Sequence, residues 1–427
     1  MRLLRYLALI VFSALAVVSL AYIVTKTLHP SGATDFHSYW YAGLFVRQGI
    51  DPYTAFLAEE APPLPIAFVD GPVIRQPPVA QPGLARVPAN TAALVELLTF
   101  FSFFSWPSAK MIWMAVNLGL MVSIVWLIWR LFPQFEQWPP AEKLCFGLMF
   151  VGLFGTRNIG GNGQTSFLIF AAMLAAVLAE RRWFLSGLML GVAMSKYSLA
   201  LPVFLLFLLE RKYREIVVAG LVQAVALLLL SAISQQSPWR IVSAYLQIFQ
   251  MHTSLPGIHL ANLFPAGGLG GQIAAWLLSL MTAAPLLYWL YQRKGQALRC
   301  IFLARQALLT IFMLWTLLVA YHRAYDTFAA ILFIAQVVTW LKHAGRAKPQ
   351  SAFLLVALAL LVVTALTVPA RGVGGGDGGG AAGWLTTWLT VQSHAVTLAL
   401  TMSLAVSLWI LYQLKTEVTH ESTHDSH

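Results

Sequence analysis

The chain of 427 residues is 59% hydrophobic, and only 10% of its residues are charged. Soluble domains carry about 25% charged residues, so this composition excludes a water-soluble enzyme, a disordered chain and a coiled coil. The formal net charge is +11, and the basic residues lie in short clusters between apolar runs, as the positive-inside rule describes. We therefore expect an all-α polytopic protein of the cell membrane, with membrane lipids around it and no nucleic-acid partner.

The apolar runs predict about 12 membrane spans, since roughly 17–25 apolar residues cross a bilayer and helices capped within the protein need fewer. The first run follows a basic start, as in a signal peptide. It is longer than a typical cleaved segment and no clear cleavage site follows, so we expect it to remain as a helix. The spans are predicted near 6–25, 108–130, 144–157, 165–179, 184–195, 197–209, 215–233, 271–292, 303–320, 327–341, 351–368 and 391–412.

Charge distinguishes two topologies for residues 184–209. Basic clusters at 180–182 and 210–214 flank this run, and a single crossing would leave one cluster on each side of the membrane. A hairpin that turns at 195–197 keeps both clusters in the cytoplasm, which the positive-inside rule favours. The same rule places both termini in the cytoplasm and the hairpin turn outside.

Two long segments, residues 26–107 and 235–270, are then predicted to lie on the outer side. Within the first, the apolar run 92–104 has no basic cluster at either end, so we expect an interfacial helix on the outer membrane face and not a span. Residues 1–412 are predicted to form a single transmembrane domain. Residues 413–427 form a polar cytoplasmic tail.

The first polar stretch begins at Asp35, about ten residues after the first span. A carboxylate near the membrane surface is a candidate general base for a hydroxyl group. The alternative is an N-cap for a helix predicted over 36–48, which composition alone favours because Asp suits that position. Tyr39 is a candidate for stacking on a sugar, although an interfacial aromatic belt explains it equally well. Asp51 before Pro52 indicates a turn.

The second polar stretch, residues 157–166, is rich in glycine, asparagine and glutamine. It lacks the G-K-[ST] sequence of a nucleotide-binding P-loop. Glycines allow a ligand to approach the backbone, and Asn162 and Gln164 carry amides that donate hydrogen bonds. A tight turn between two spans is the alternative. Arg157 opens the stretch and is a candidate for binding a phosphate.

The third group comprises Lys196 at the predicted hairpin turn and residues 321–326. Outward-facing cations depart from the charge bias, so Lys196 and Arg323 are candidates for binding the phosphate of a lipid substrate, with snorkelling to lipid phosphates as the alternative. His322 is a candidate for phosphate binding or proton transfer, and Asp326 for pairing with Arg323. No metal-ligand cluster stands out, so we expect neither a metal nor a cofactor.

With these segments, the chain resembles glycosyltransferase family 87, whose members are membrane enzymes of the GT-C class that use polyprenyl-phosphate sugars and include mannosyltransferases. The likeness extends to about residue 340, and the last two spans match only in character. It is carried by Asp35 with residues 39–43 and 49–53, by residues 162–164, by residues 187–196 and by residues 321–326.

The resemblance implies a GT-C-like helical bundle with an outward-facing active site under the long first loop. Asp35 would be the general base that activates an acceptor hydroxyl of a lipid or envelope glycan, with His322 as a second catalytic residue. The hydroxyl would displace polyprenyl phosphate from the sugar with inversion. Substrate binding would fall to Lys196, Arg323, Arg157, Asn162, Gln164, Tyr39 and Tyr325.

Two other classes of function also accommodate charges within a membrane. A lipid or sugar transporter is one, but transporters often show internal repeats and charges near the membrane midplane. No convincing repeat is found here. A non-catalytic membrane subunit of an envelope-polymer assembly is the other, and it would tolerate Asp35→Asn.

Overall fold

The computed structural model describes residues 2–29, 32–58, 90–253, 277, 301–319, 324–343 and 399–408. These residues are mostly helical and contain no strand, which confirms the all-α prediction. The chain divides into two compact units. The first comprises Met1–Arg130, Pro139–Gly152 and Thr156–Pro256, and the second comprises Leu131–Trp138, Leu153–Gly155 and Gly257–His427. The single domain predicted over 1–412 stays a prediction.

The described residues up to 253 form twelve α-helices. Short 3-10 turns at Phe100–Phe103 and Met194–Lys196 follow the fourth and ninth of them. The helices are α1 (Arg2–Leu28), α2 (Thr34–Arg47), α3 (Pro52–Leu57), α4 (Ala92–Thr99), α5 (Trp106–Leu131), α6 (Pro140–Gly152), α7 (Phe154–Asn162), α8 (Ser166–Leu178), α9 (Trp183–Ala193), α10 (Tyr197–Leu209), α11 (Tyr213–Ser234) and α12 (Pro238–Thr253).

In the described part of the chain, four helical stretches are long and apolar enough to cross a membrane. Helices α1, α5 and α11 are three of them, and they confirm the spans predicted near 6–25, 108–130 and 215–233. The span predicted near 144–157 needs correction, because α6 and α7 meet there at a bend of 57°. The predicted spans 271–292 and 351–368 lie outside the described residues, so the total of about 12 stays a prediction.

The fourth stretch, Trp183–Leu209, joins α9 and α10 by length and composition, but the packing shows that these two helices form a hairpin. Lys212 Nζ lies 2.8 Å from Glu180 Oε2, although a straight helix over 183–209 would separate the two ends by about 40 Å. Helix α9 also runs parallel to α11. The hairpin predicted from charge is therefore confirmed, with both basic clusters at one end.

Helices α8, α9 and α10 are each shorter than the hydrocarbon core of a bilayer is thick, and the three separate spans predicted there stay a prediction. They have 13, 11 and 13 residues, hence lengths of about 17–20 Å against a hydrocarbon core of about 30 Å. The hairpin turn is level with the middle of α11, because Gln223 Nε2 donates to Gly191 O at 2.7 Å and to Ser195 Oγ at 3.3 Å.

Four helices, α2, α3, α4 and α12, pack on the second half of α11, and we call them the cap. Helix α2 confirms the predicted helix 36–48, and the run 92–104 is a short helix followed by a 3-10 turn, as expected. Its position at the membrane surface stays a prediction. Their shared apolar core consists of Ala42, Val46, Tyr53, Ala92, Val95, Leu230, Ile241, Ala244 and Ile248.

The second unit is described only in part. Its helices are α13 (Ile301–Val319), α14 (Ile331–His343) and α15 (Ala399–Leu408), with a 3-10 helix at Ala324–Ala330 before α14. Buried polar side chains form hydrogen bonds within this unit: Gln306 of α13 donates to Leu131 O, and Ser407 Oγ of α15 lies 3.2 Å from Gln336 Oε1 of α14. Helices α13 and α14 correspond to the spans predicted near 303–320 and 327–341.

Candidate active site

Asp35 lies in the first turn of α2 and is not its N-cap, so the capping role favoured by composition is wrong. The N-cap is Ala33, which has the left-handed conformation (φ 54°) and no side chain that could accept a hydrogen bond. The helix thus begins two residues earlier than the cap interpretation requires. A carboxylate in the first turn interacts favourably with the helix dipole. Its side chain is half-buried and accepts a hydrogen bond from Gln164 Nε2.

The turn that carries Gln164 depends on Gly163. Residues 157–162 belong to α7, so the tight turn expected over 157–166 is confined to 163–165. Gly163 has φ +68°, and a Cβ atom there would lie 2.7 Å from Phe36 Cβ. Trp113 Nε1 donates to Gly163 O at 2.8 Å, and the Trp113 ring stacks on Phe36 with centroids 4.9 Å apart. Trp113 therefore holds the neighbours of both Gln164 and Asp35.

Residues 164–166, which we call the hub, join α2 to the turn. Gln164 Nε2 donates to Asp35 Oδ2, and the next residue, Thr165, has its Oγ1 3.1 Å from the Tyr39 hydroxyl. Asp35 and Tyr39 are one helical turn apart and lie on the same face of α2. Two successive residues of the hub thus bond two successive turns of α2.

The third hub residue bonds the tip of the hairpin. Lys196 ends the 3-10 turn between α9 and α10, and its Nζ donates to Ser166 Oγ at 2.8 Å. The backbone N–H of Thr91, at the start of α4, donates to Ser195 O at 3.4 Å. The hub therefore brings a carboxylate, a phenol and an ammonium group together, although these residues are far apart in the sequence.

Asn90 is a site neighbour that the sequence does not reveal, because a single Asn in a long loop carries no pattern. Its Nδ2 donates to the Tyr39 hydroxyl, and its carbonyl oxygen accepts from the Tyr53 hydroxyl. Tyr53 is fully buried, and burial raises its pKa well above the usual value, so the hydroxyl keeps its proton and donates. Asn90 thus links the cap to the hub.

A family model decides what kind of protein this site belongs to. The model of glycosyltransferase family 87 matches residues 91–341, more than half of the chain. The chain belongs to glycosyltransferase family 87. Comparisons with curated proteins and with solved structures find no match.

Family 87 membership makes the chain a membrane glycosyltransferase with a sugar donor and an acceptor. This favours the enzyme over the transporter and the non-catalytic subunit. The matched residues include the hub and Lys196, whereas Asp35 precedes them. Asp35 is nevertheless linked to the matched part of the chain, because it accepts a hydrogen bond from Gln164.

Two further residues predicted for the family 87 site lie on α7, before the hub. The guanidinium carbon of Arg157 is 5.3 Å from the ring centroid of Tyr22 on α1. Asn162 Nδ2 donates to Asn158 Oδ1 of the same helix at 2.6 Å. The first contact joins α7 to α1, and the second lies within α7. The roles of Arg157 and Asn162 in binding stay predictions.

The remaining predicted site residues belong to the second unit. His322 and Arg323 lie outside the described residues, and so does the side chain of Tyr325, whose backbone starts the 3-10 helix before α14. Their roles stay predictions. Asp326 is buried in that helix. Within the described part of the chain, no group of three or more His, Cys, Asp or Glu residues is arranged to hold a metal ion.

The turn before α3 has the structural role that its sequence predicts. Asp51 is the N-cap of α3, and its two carboxylate oxygens accept from Tyr53 N and Thr54 N, both at 3.1 Å. Pro52 occupies the first helical position, where its missing N–H costs nothing. Asp51 thus orients Tyr53 towards Asn90.

Proposed function

We propose that this protein transfers a sugar from a polyprenyl-phosphate donor to a hydroxyl group of a lipid or envelope glycan, on the outer face of the cell membrane. Mannose is the first candidate for the sugar. The observation that carries the proposal is the hub, which holds Asp35 and Lys196 through hydrogen bonds to Gln164 and Ser166. A base and a cation bonded to the same three-residue segment are the two groups that this displacement requires.

In the proposed reaction Asp35 is the general base. Its carboxylate removes the proton from the acceptor hydroxyl, whose oxygen forms a bond to the anomeric carbon of the sugar. The bond between that carbon and the phosphate oxygen breaks, and polyprenyl phosphate leaves with the electron pair. The configuration at the anomeric carbon is inverted, and Asp35 later releases its proton to water. One carboxylate is sufficient for this single displacement, whereas glycosidases use two.

Lys196 stabilises the phosphate in this proposal. Negative charge builds up on the leaving phosphate, and a fixed cation next to it lowers the barrier most in a site with little water. Lys196 is held at the tip of the hairpin, and Ser166 orients its ammonium group. Arg323 and Arg157 are proposed to add charge to the same phosphate, with His322 assisting proton transfer. Asn162 and Tyr325 are proposed to contact the sugar.

The experiment is a transfer assay in membranes that contain the full-length protein. A panel of polyprenyl-phosphate sugars, including mannose, is tested first for transfer by the wild-type protein. Asp35→Asn should then lower kcat by at least about 10²-fold, the lower end of the range for a general base. Full activity of Asp35→Asn would contradict the assigned base.

Two matched variants separate this role from general damage. Glu136→Gln replaces an exposed carboxylate outside the cap and the hub, so it should keep the wild-type kcat. Lys196→Met should lower kcat about 10²–10³-fold through lost phosphate stabilisation. Lys212→Met changes a cation at the other end of the hairpin, paired with Glu180, and should leave kcat unchanged. Equal losses from both lysine variants would contradict the role of Lys196.

A further inference from the structure

The hydroxyl of Tyr39 is the centre of a buried chain of hydrogen bonds. It accepts from Asn90 Nδ2 and lies 3.1 Å from Thr165 Oγ1. Tyr39 is only 5% exposed, so its ring offers little surface on which a sugar could stack. The contacts of Tyr39 are with the protein, and they connect the cap to the hub.

This series of hydrogen bonds lies directly beside the candidate base. Tyr39 follows Asp35 by one turn on the same face of α2, and Thr165 follows Gln164 in the hub. The bond from Tyr39 to Thr165 and the bond from Gln164 to Asp35 are therefore two neighbouring connections between the same two segments. A shift of the hub along α2 would break both of them together.

We propose that Asn90 and Tyr39 are positioning residues that hold the hub in register with α2 and so keep Gln164 against Asp35. The proposal rests on the proposed role of Asp35 as the base. Asn90 can serve this purpose because it is itself held, its carbonyl accepting from the buried Tyr53 hydroxyl. Asn90 donates to the Tyr39 hydroxyl, which in turn shares a hydrogen bond with Thr165 Oγ1.

The effect expected is on turnover and not on substrate binding. A displacement of about 1 Å in a catalytic site can cost up to 10²-fold in rate, so we expect Asn90→Ala and Tyr39→Phe each to lower kcat about tenfold, with KM changed less than about twofold. Both substitutions break the same series of hydrogen bonds. The double variant should therefore have about the same kcat as the less active single variant, because the effects of coupled residues are not additive.

Conservative variants and a matched control test the chain itself. Thr165→Val removes the hydroxyl that Tyr39 bonds, and Thr165→Ser, which keeps a hydroxyl, should recover most of the lost kcat. Tyr245→Phe is the control. Tyr245 also lies in the cap, with its ring 5.8 Å from that of Tyr53, and no hydrogen bond in the described residues joins its hydroxyl to the hub. This variant should keep the wild-type kcat.

The assay uses the full-length protein in membranes with the lipid-linked sugar that the wild-type protein transfers, and thermal unfolding in detergent checks each variant. Multiplying losses in the double variant would overturn the proposal, and so would a raised KM with unchanged kcat, which would place Tyr39 on the substrate. If Asp35→Asn is inactive while Asn90→Ala, Tyr39→Phe and Thr165→Val keep wild-type kcat, the positioning role is contradicted and the assigned base is not. If Asp35→Asn is fully active, the proposed base fails, and the positioning role fails with it.

Discussion

The role inferred for Asp35 from the sequence changes once its neighbours in the structure are known. Its sequence position and type favoured an N-cap, but Ala33 occupies that position and the Asp35 carboxylate accepts from Gln164. Helix boundaries shift by one or two residues between methods and contexts, and here a shift of two residues makes Asp35 a first-turn carboxylate instead of a cap. For Asp51, by contrast, the sequence predicts a structural role in a turn, and the structure shows that it caps α3.

Glu96 in the cap is a residue whose titration should be visible in the stability of the protein. Burial raises its pKa from 4.5 to about 7, and its buried Oε1 has no hydrogen-bond partner among the described residues. The folded protein then binds more protons than the unfolded chain. Its contribution to stability is therefore greatest below about pH 4.5 and is lost as the pH rises through about 7.

We predict that Glu96→Gln removes this pH dependence. The variant should lose less thermal stability than the wild-type protein between about pH 5 and about pH 8, because the amide has no charge to bury. Thermal unfolding in detergent at the two pH values measures the difference. Glu136→Gln changes an exposed glutamate and serves as the control. Parallel curves for Glu96→Gln and wild type would contradict the shifted pKa.

At the scale of elements, the hairpin of α9 and α10 depends on close packing against α11. The spacing of Gly187 and Gly191 indicates small-residue helix packing, and the structure agrees. A Cβ atom at Gly187 would lie 2.6 Å from Val218 Cβ and 2.8 Å from Glu215 O, and one at Gly191 would lie 2.7 Å from Val222 Cβ. The glycines therefore allow α11 to approach α9 along its length.

We predict that Gly187→Ala destabilises the protein whereas Gly220→Ala does not. The new methyl group at Gly187 meets a branched side chain and a backbone oxygen, which cannot move easily, so a loss of about 1–3 kcal/mol is expected from overpacking. Gly220 lies on α11 with nothing within 4 Å of its added Cβ, and there alanine should be neutral or stabilising by up to about 1 kcal/mol through helix propensity.

The measurement for these two glycines is thermal unfolding of the purified variants in the same detergent. Equal melting temperatures for Gly187→Ala and wild type would show that α9 and α11 are less closely packed than the structure indicates. Because α9 carries the hairpin whose tip holds Lys196, Gly187→Ala should also lower transferase activity, while Gly220→Ala should not.

For the whole molecule, the sequence predicts sidedness from its charges. The ion pair of Lys212 with Glu180 places both basic clusters at one end of the hairpin, and the hub lies at its other end. The positive-inside rule then assigns the cluster end to the cytoplasm and the opposite end of α11, where the cap packs, to the outer side. The hub lies part-way along α11. The structure shows the two ends, while the assignment of the sides stays a prediction.

We predict that Ser237→Cys, just after α11, reacts with a membrane-impermeant thiol reagent in intact cells, and that Arg214→Cys, at the start of α11, reacts only after permeabilisation. Both positions are exposed and lie at opposite ends of one span. Cys145 and Cys300 are first replaced by serine, so that the introduced thiol is the only one. Labelling of Arg214→Cys in intact cells would reverse the proposed sidedness.

The sequence alone determined the helical class, the long spans and the hairpin, because bilayer solvation and the charge bias act on each segment separately and leave their pattern in composition. It also singled out Asp35, Gln164 and Lys196 as candidates. Only the tertiary structure decided that Gln164 bonds Asp35, that Asn90 holds Tyr39, and that α8, α9 and α10 extend only half-way along α11. These features depend on hydrogen bonds between residues 30 to 129 positions apart, and such contacts leave no local periodicity in the chain.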